Sequence, residues 1–258
     1  MPTRDEILRE LGLAPRWTLR VAAAAEAATL PATADVSPAP VAAKPVAPRS
    51  AEVIALKPVG ERLARIAALD WDGLIADIEA CNACGLCRTR TRTVPGVGDR
   101  NARWLFVGEG PGAEEDERGE PFVGQAGRLL DNMLAALRMS RQDDVYIANV
   151  VKCRPPNNRT PEALEAEACR PYLERQIALL RPALVVALGR SAASLLLRTD
   201  ATIASLRGRV HRFGAIPLVV TYHPAYLLRT LPDKARAWED LLFARRTLAA
   251  ESPASDRQ

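Results

Sequence analysis

The stretch WLFVGEGPG, residues 104–112, decides the fold, because an apolar run ends there in a loop of three glycines. The run does not alternate with polar residues, which is typical of a strand whose two faces are both buried in a parallel sheet. Three similar runs follow: VYIAN (145–149), ALVVAL (183–188) and PLVVT (217–221). Helical patterns follow the strands at 125–139, 161–180, 189–199 and 233–249. This alternation predicts a three-layer α/β/α fold with a central four-stranded parallel sheet.

The sequence also predicts that a linker connects an N-terminal peptide to the folded domain. Residues 1–20 contain a short helical pattern, interpreted either as a frayed tail or as a docking peptide for a partner protein. Residues 21–58 are rich in Ala and Pro and predict a disordered linker, since little in them could pack. The folded domain is expected to span 61–250, beginning with a helical pattern over 61–81.

Composition narrows the class of protein. The 258 residues carry a formal charge of +4, which is too small to indicate nucleic-acid binding without local clusters. No apolar run approaches the roughly 18 residues of a membrane span, and the N-terminus is acidic where a signal peptide would be basic and then apolar. We therefore expect a cytoplasmic monomer that is not bound to a membrane. Five cysteines in a reducing compartment favour metal ligation or free thiols over disulfides.

The loop after the first predicted strand, Gly108 to Gly112, is suited to binding a ligand. Its glycines let the backbone approach closely and expose N–H groups, although its spacing matches neither a Walker loop nor a dinucleotide fingerprint. In the acidic run that follows, we interpret Glu115 as part of a solvated helix start. Phe122 is either a stacking platform for a planar ring or an ordinary core residue, and the sequence leaves both open.

Two polar side chains follow other strands at their carboxyl ends, where ligands bind in such sheets. Asn149 could read an amide or imide edge with one acceptor and two donors, or could be a turn or cap residue. His223 follows the last predicted strand, so a functional role is favoured over a structural one. His211 is interpreted as a surface residue on a basic loop.

The cysteines form a candidate metal site. Cys81 and Cys84 have the spacing of a metal clamp, and Cys153 and Cys169 could supply two more thiolates. Four thiolates suit zinc or an iron–sulfur cluster equally well, and spacing does not separate the two. Cys87 is predicted to be a small, partly buried thiol, with substitution for Cys169 as the alternative.

Basic residues crowd the same end of the predicted fold. Gathered beside one cleft they would form a footprint for phosphates, although each run alone could be a solvated face. The residues are Arg88, Arg90, Arg92, Lys152, Arg154, Arg159, Arg207, Arg209, Arg212 and Arg229.

Together these motifs resemble the family 4 uracil-DNA glycosylases, the iron–sulfur branch of their superfamily. The resemblance covers about Cys81 to Arg246 and rests on CNAC, GEGPGAEED, PFVGQAG, IANVVKCRPPNNR, the position of Cys169, and HPAYLL. It implies a DNA repair enzyme that flips uracil out of DNA and hydrolyses its N-glycosidic bond, leaving an abasic site.

The resemblance also implies roles for residues in the pocket. Phe122 would stack on uracil, and Asn149 would accept from N3–H and donate to O4, a pattern that cytosine reverses. Backbone groups of Glu109, Gly110 and Pro111 would surround the base. His223 would donate a hydrogen bond to O2 as negative charge builds on the leaving base.

Further expectations follow from the same resemblance. Uracil-DNA glycosylases of the wider superfamily place the attacking water with an Asp, but Gly110 stands at that position here, so Glu109 is the candidate water-positioning residue. A structural [4Fe–4S] cluster is expected on Cys81, Cys84, Cys153 and Cys169. The residues expected to contact DNA are Arg88, Arg154, Arg209 and Arg229, and the gap left by the flipped base would be filled by Leu227, Leu228 or Arg229.

Two other classes of protein would use some of the same residues. A non-catalytic iron–sulfur nucleic-acid-binding module would keep the cysteines and arginines but would not need Phe122, Asn149 and His223 together. A four-cysteine zinc hydrolase would need an open metal position, which four thiolates close. The sequence therefore favours the glycosylase.

Overall fold

The computed structural model describes residues 59–251. Its helices are α1 (Val59–Ala68), α2 (Trp71–Glu79), α3 (Ala113–Arg118), α4 (Gln125–Ala136), α5 (Ala163–Leu180), α6 (Arg190–Leu197), α7 (Ile203–Leu206), α8 (Pro224–Leu227) and α9 (Asp233–Glu251). Its strands are β1 (Val97–Gly98), β2 (Trp104–Gly108), β3 (Val145–Asn149), β4 (Leu184–Leu188), β5 (His211–Phe213) and β6 (Ile216–Thr221). The predicted N-terminal peptide (1–20) and linker (21–58) lie outside the described residues. No helix within 59–251 is long and apolar enough to cross a membrane.

The strands form one sheet in the order β1-β3-β2-β4-β6-β5. The four inner strands are parallel, which confirms the predicted central sheet. The two edge strands were not predicted; each pairs antiparallel with its neighbour. They are two and three residues long, too short to give a pattern. His211 lies in β5, so its assignment to a loop was wrong.

Alternate residues of the inner strands pack on opposite faces of the sheet, so both faces are buried. Leu105 and Val107 of β2 pack in a core with residues of α5 and α6. Phe106, between them, packs in a second core with residues of α4 and α9. This arrangement confirms the three-layer fold and explains why the strand sequences are continuously apolar.

The helical pattern over 61–81 divides into two helices. The Asp70 side chain accepts a hydrogen bond from the backbone N–H of Gly73 at 2.9 Å and so caps the start of α2. Ile66 of α1 and Leu74 of α2 are buried with Tyr172 of α5. Both helices therefore pack outside the sheet layers, and α2 ends just before the cysteine cluster.

Candidate active site

A cavity of about 410 Å³ opens at the carboxyl ends of β2, β3 and β6. Its lining residues come from the loops that follow these strands. Ligands bind in this place, outside the carboxyl ends of the strands, in parallel sheets. They are Glu109, Gly110, Pro111, Gly112, Glu115, Phe122, Ala126, Asn149, Pro155, Asn158, Arg159, Pro161, His223, Ala225 and Arg229. Phe122, Asn149 and His223, which are spread over about a hundred positions of the sequence, thus line one cavity.

Asn149 lies at the base of this cavity, at the end of β3. Its side chain is 2% exposed, and its Oδ1 atom has no hydrogen-bond partner among residues 59–251. Gly108 lies beside it, where a Cβ atom would collide with both Asn149 Oδ1 and the Phe122 ring. A buried acceptor without a partner costs free energy, so this atom is placed to accept a hydrogen bond from a ligand N–H.

Phe122 is held in a strained backbone conformation. Its φ angle is 56°, which is uncommon for a residue with a side chain. Arg141 donates hydrogen bonds to the carbonyl oxygens of Pro121 (2.8 Å) and Phe122, and Asp131 pairs with Arg141 at 2.6 Å. The ring centroid lies 5.5 Å from that of His223, with 30° between the planes. Strain of this kind persists where surrounding contacts hold the backbone in place. Here the Arg141 contacts hold the Phe122 backbone so that the ring lines the cavity.

Glu115 orders the two loops that line the cavity. Its carboxylate accepts hydrogen bonds from the backbone N–H groups of Gly112 (3.1 Å), Val123 (3.0 Å) and Gly124 (3.3 Å). The interpretation of Glu115 as part of a solvated helix start was therefore wrong. Three backbone donors converge on one carboxylate because the glycine loop and the Phe122 loop fold towards the start of α3.

His223 is oriented as a neutral hydrogen-bond donor. Its Nδ1 atom accepts from the backbone N–H of Ala225 at 3.1 Å, so the proton of the neutral ring is on Nε2. Burial lowers the pKa of His223 to about 4, a shift that the Glu115 carboxylate opposes and Arg229 reinforces. Gly189, with φ +92°, lies against His223, where a Cβ atom would come within 2.9 Å of the histidine Cβ. Because its pKa is about 4, the His223 ring is uncharged near neutral pH.

The glycine loop brings backbone groups to the opposite side of the cavity. Glu109, Gly110 and Pro111 all line it, and the Glu109 carbonyl accepts from the N–H of Val151 at 3.2 Å. A Cβ atom at Gly110 would lie 2.8 Å from Val151 Cγ2. A side chain at position 110 would therefore require the Val151 side chain to shift.

A second, smaller cavity is lined by all five cysteines: Cys81, Cys84, Cys87, Cys153 and Cys169. The described cysteines form no disulfide. Within 59–251, no three His, Cys, Asp or Glu side chains are arranged to hold a single metal ion.

N–H donors surround this cysteine cavity. Arg90 Nη1 donates to Cys153 Sγ at 3.0 Å, and the backbone N–H of Lys152 donates to Cys169 Sγ at 3.2 Å. Burial raises the pKa of Cys153, and it raises the pKa of Cys169 to about 12. Buried thiols of this kind need a metal to be held as thiolates, and N–H groups at sulfur are the partners that bound thiolates use.

Several basic residues predicted to contact phosphate are engaged elsewhere. Lys152 is 1% exposed and binds Asn149 O and Gln176 Oε1, and burial lowers its pKa to about 8. Arg90 reaches the cysteines, and Arg207 pairs with the buried Asp240 at 2.6 Å. The prediction that these three residues form part of a phosphate footprint was wrong, because each cation instead forms hydrogen bonds or an ion pair within the protein.

The arginines chosen as DNA contacts remain accessible. Arg229 is exposed and lines the cavity, while Arg88 and Arg209 are exposed at other loops. Arg154 is partly buried and donates to Asn158 Oδ1 at 2.7 Å. Of the candidates for filling the gap left by a flipped base, Leu227 is 1% exposed and packs in a core. Only Leu228 and Arg229 keep side chains at the surface.

Sequence reasoning missed the residues that support the site rather than face the ligand. Arg141 and Lys152 act on backbone carbonyl oxygens, and Asp116 accepts from the N–H groups of Thr91 (3.0 Å) and Arg92 (3.4 Å). The only signal in the sequence was the presence of charged residues inside motifs such as KCRPP and EED. Their partners lie far away in sequence, so the contacts themselves needed the fold.

Comparison with known proteins assigns the class. The sequence model of the uracil DNA glycosylase superfamily matches residues 95–242, which places the chain in that superfamily. Relatives named type-4 uracil-DNA glycosylase are 46% identical over 165 residues in Archaeoglobus fulgidus, covering 61% of this chain and 82% of the relative, and 45% identical over 161 residues in Thermotoga maritima, covering 62% and 83%.

A type-5 uracil-DNA glycosylase of Pyrobaculum aerophilum is 36% identical over 154 residues, covering 53% of this chain and 67% of the relative. The two type-4 relatives are more similar to this chain than this type-5 relative is, and over a larger share of their own length. This chain belongs to the type-4 family of uracil-DNA glycosylases, which confirms the resemblance found in its motifs.

Proposed function

We propose that this protein removes uracil from DNA by hydrolysing the N-glycosidic bond and leaves an abasic site. One observation carries the proposal: a stacking ring, an unpartnered buried amide oxygen and a neutral imidazole donor line one cavity at the carboxyl ends of parallel strands. Each suits one feature of uracil. Nothing in the cavity favours the alternative of a non-catalytic module, which has no use for this combination.

Base recognition is the first step. The flipped uracil stacks on Phe122, whose position the Arg141 contacts fix. Asn149 Oδ1 accepts from uracil N3–H and its amide nitrogen donates to O4. Cytosine presents an acceptor at N3 and a donor at N4, so it would leave the buried Asn149 groups unpaired, which is the basis of strong discrimination.

Bond cleavage is the second step. As the C1′–N1 bond breaks, its electron pair moves to the base and negative charge develops on uracil O2. The Nε2–H of neutral His223 donates a hydrogen bond to that oxygen, and a preorganised donor of this kind is worth about 3 kcal/mol. The Ala225 N–H fixes the tautomer, so the donor needs no reorganisation during the reaction.

Water addition completes the reaction. We propose that Glu109 positions the water that attacks C1′, because it lines the cavity beside Gly110 and its side chain is a carboxylate. Glu109→Gln keeps the shape of the side chain and removes its negative charge. We expect turnover to fall by about tenfold to a hundredfold, measured as single-turnover excision; full turnover by the variant would remove this role from Glu109.

The cysteine cavity fits a [4Fe–4S] cluster held by Cys81, Cys84, Cys153 and Cys169. The support is chemical: all five cysteines line one cavity, and N–H groups donate to Cys153 and Cys169. Cys87 lines the same cavity and is the alternative to Cys169. When bound, the cluster would cross-link the segment before the sheet to the loop after β3, and hydrolysis needs no electron from it.

The remaining proposals concern the surroundings of the site. Uracil-containing DNA is the proposed partner, with Arg229 at the cavity mouth and Arg88, Arg154 and Arg209 as further phosphate contacts. The catalytic domain is proposed to span 61–250, preceded by the linker 21–58 and by residues 1–20, which are either a frayed tail or a docking peptide for a partner protein. Cytoplasmic localisation and a monomeric state are proposed from the free cysteines and the substrate.

The function is tested with purified, iron-loaded protein and an oligonucleotide that carries one uracil. Alkali treatment cleaves the strand at an abasic site, so excision appears as one shorter fragment. We expect this fragment with uracil and not with cytosine or thymine at the same position. An intact strand after incubation with fresh protein that absorbs near 400 nm would overturn the proposed function.

A further inference from the structure

Lys152 is the one buried lysine among residues 59–251, and it lies between the two cavities. Its Nζ atom donates to the backbone carbonyl of Asn149 at 2.7 Å and to Gln176 Oε1 at 2.6 Å. Gln176 is held in turn, because its Nε2 donates to the carbonyl of Pro95 at 2.7 Å. The ammonium group is thus tied to a fixed partner on α5 and to the strand end that carries Asn149.

The backbone of Lys152 is fixed as well. Its N–H donates to Cys169 Sγ at 3.2 Å, and its carbonyl accepts from the N–H of Val94 at 2.8 Å. Three segments therefore meet at this residue: the end of β3, α5 and the stretch that contains Val94. The backbone and the ammonium group of Lys152 are both held by hydrogen bonds. Neither can shift without breaking a buried hydrogen bond.

A buried ammonium group costs much more than a buried apolar side chain of the same size. Packing alone would be served by Met or Leu, so a charge here needs another reason. The Nζ contact lies on the carbonyl of the residue whose side-chain oxygen faces the active-site cavity without a partner. A small rotation of the Asn149 peptide would move that oxygen away from the base.

We propose that Lys152 is a positioning residue for uracil recognition, acting through the Asn149 carbonyl to hold the Asn149 amide in the plane of the base. The inference rests on the proposed function and extends it. Lys152 does not touch the substrate; it fixes the residue that does. Its contribution should therefore exist only while the Asn149 side chain is present.

A double-mutant cycle tests this dependence. Single-turnover excision of uracil is measured for the wild type, Lys152→Met, Asn149→Ala and the double variant, each corrected for its fraction of folded protein. We expect Lys152→Met to slow excision by about tenfold to a hundredfold, as loss of a charge-assisted hydrogen bond does. In the Asn149→Ala background, the same change should slow it by less than about twofold.

Lys234→Met is the matched control, because Lys234 is exposed on α9 and its loss removes the same charge without touching the site. It should leave excision unchanged in both backgrounds. If Lys152→Met does not fold, Gln176→Leu replaces it in the cycle, with a smaller loss that again requires Asn149. Equal losses with and without the Asn149 side chain would overturn the inference alone. A wild type that excises no uracil would overturn the proposed function and the inference together.

Discussion

The two cavities of this protein share one segment, the loop after β3, but differ in how their polar groups are satisfied. In the active-site cavity, Asn149 Oδ1 is buried and has no partner among residues 59–251. In the cysteine cavity, Cys153 and Cys169 each already accept an N–H hydrogen bond from the protein. This difference supports the proposals that the first cavity binds a substrate transiently and that the second holds a cluster permanently.

The comparison predicts that changes in the two cavities have different signatures. The largest effect on catalysis is expected for His223→Phe, which keeps a planar ring and removes the Nε2–H donor. Excision should fall by about a hundredfold to a thousandfold. The melting temperature should fall by no more than a few degrees, because the replacement is also a planar ring, although the backbone N–H of Ala225 loses its acceptor. Single-turnover kinetics and thermal unfolding of one preparation check both points; a variant with near wild-type rates would remove His223 from the chemistry.

Asn149→Ala should come next, with a loss of about a hundredfold, since two hydrogen bonds to the base disappear. The matched control is Asn158→Ala, because Asn158 also lines the cavity but is exposed and bonded to Arg154. We expect less than about threefold loss for the control. Similar losses for the two variants would show that the buried amide has no special role in reading uracil.

Cys153→Ala should instead take away colour and stability. Absorbance near 400 nm should disappear and the melting temperature should fall by several degrees, since about 1 kcal/mol corresponds to 2–4 °C in a domain of this size. Cys87→Ala is the control and should keep both the absorbance and the melting temperature. A colourless Cys153→Ala protein with wild-type excision and melting would contradict a structural cluster.

The smallest effect is expected from pH. Because the pKa of His223 is lowered to about 4, its ring stays neutral and the excision rate should show no His223 titration between pH 8 and pH 5. The unfolded state binds the proton more readily than the folded state, so the contribution of His223 to stability is full above about pH 6.5 and is lost as pH falls towards 4. A pH–rate profile with an inflection near 6.5 that His223→Phe abolishes would contradict this assignment.

The sequence was enough to predict the parallel core and the residues that face the ligand. Four continuously apolar runs marked the inner strands, and polar residues directly after them had to meet at one edge of the sheet. The edge strands β1 and β5 could not be predicted, since two or three residues show no periodicity. The break between α1 and α2 depends on one capping bond at Asp70.

The charged residues were harder to assign, because a charge in a sequence does not reveal its partner. Glu115 and Lys152 both looked like surface residues, and both bind backbone groups of segments that the fold brings together. The errors lie in the supporting contacts around the site, while Phe122, Asn149 and His223 lie in the common cavity that the sequence predicted for them.

The most direct test of the central claim is a crystal structure of the protein soaked with free uracil. We expect one uracil in the cavity of about 410 Å³, stacked on Phe122, with Asn149 Oδ1 at hydrogen-bond distance from N3 and His223 Nε2 at hydrogen-bond distance from O2. Uracil bound at another place, or bound in this cavity with the Asn149 amide turned away from it, would contradict the account.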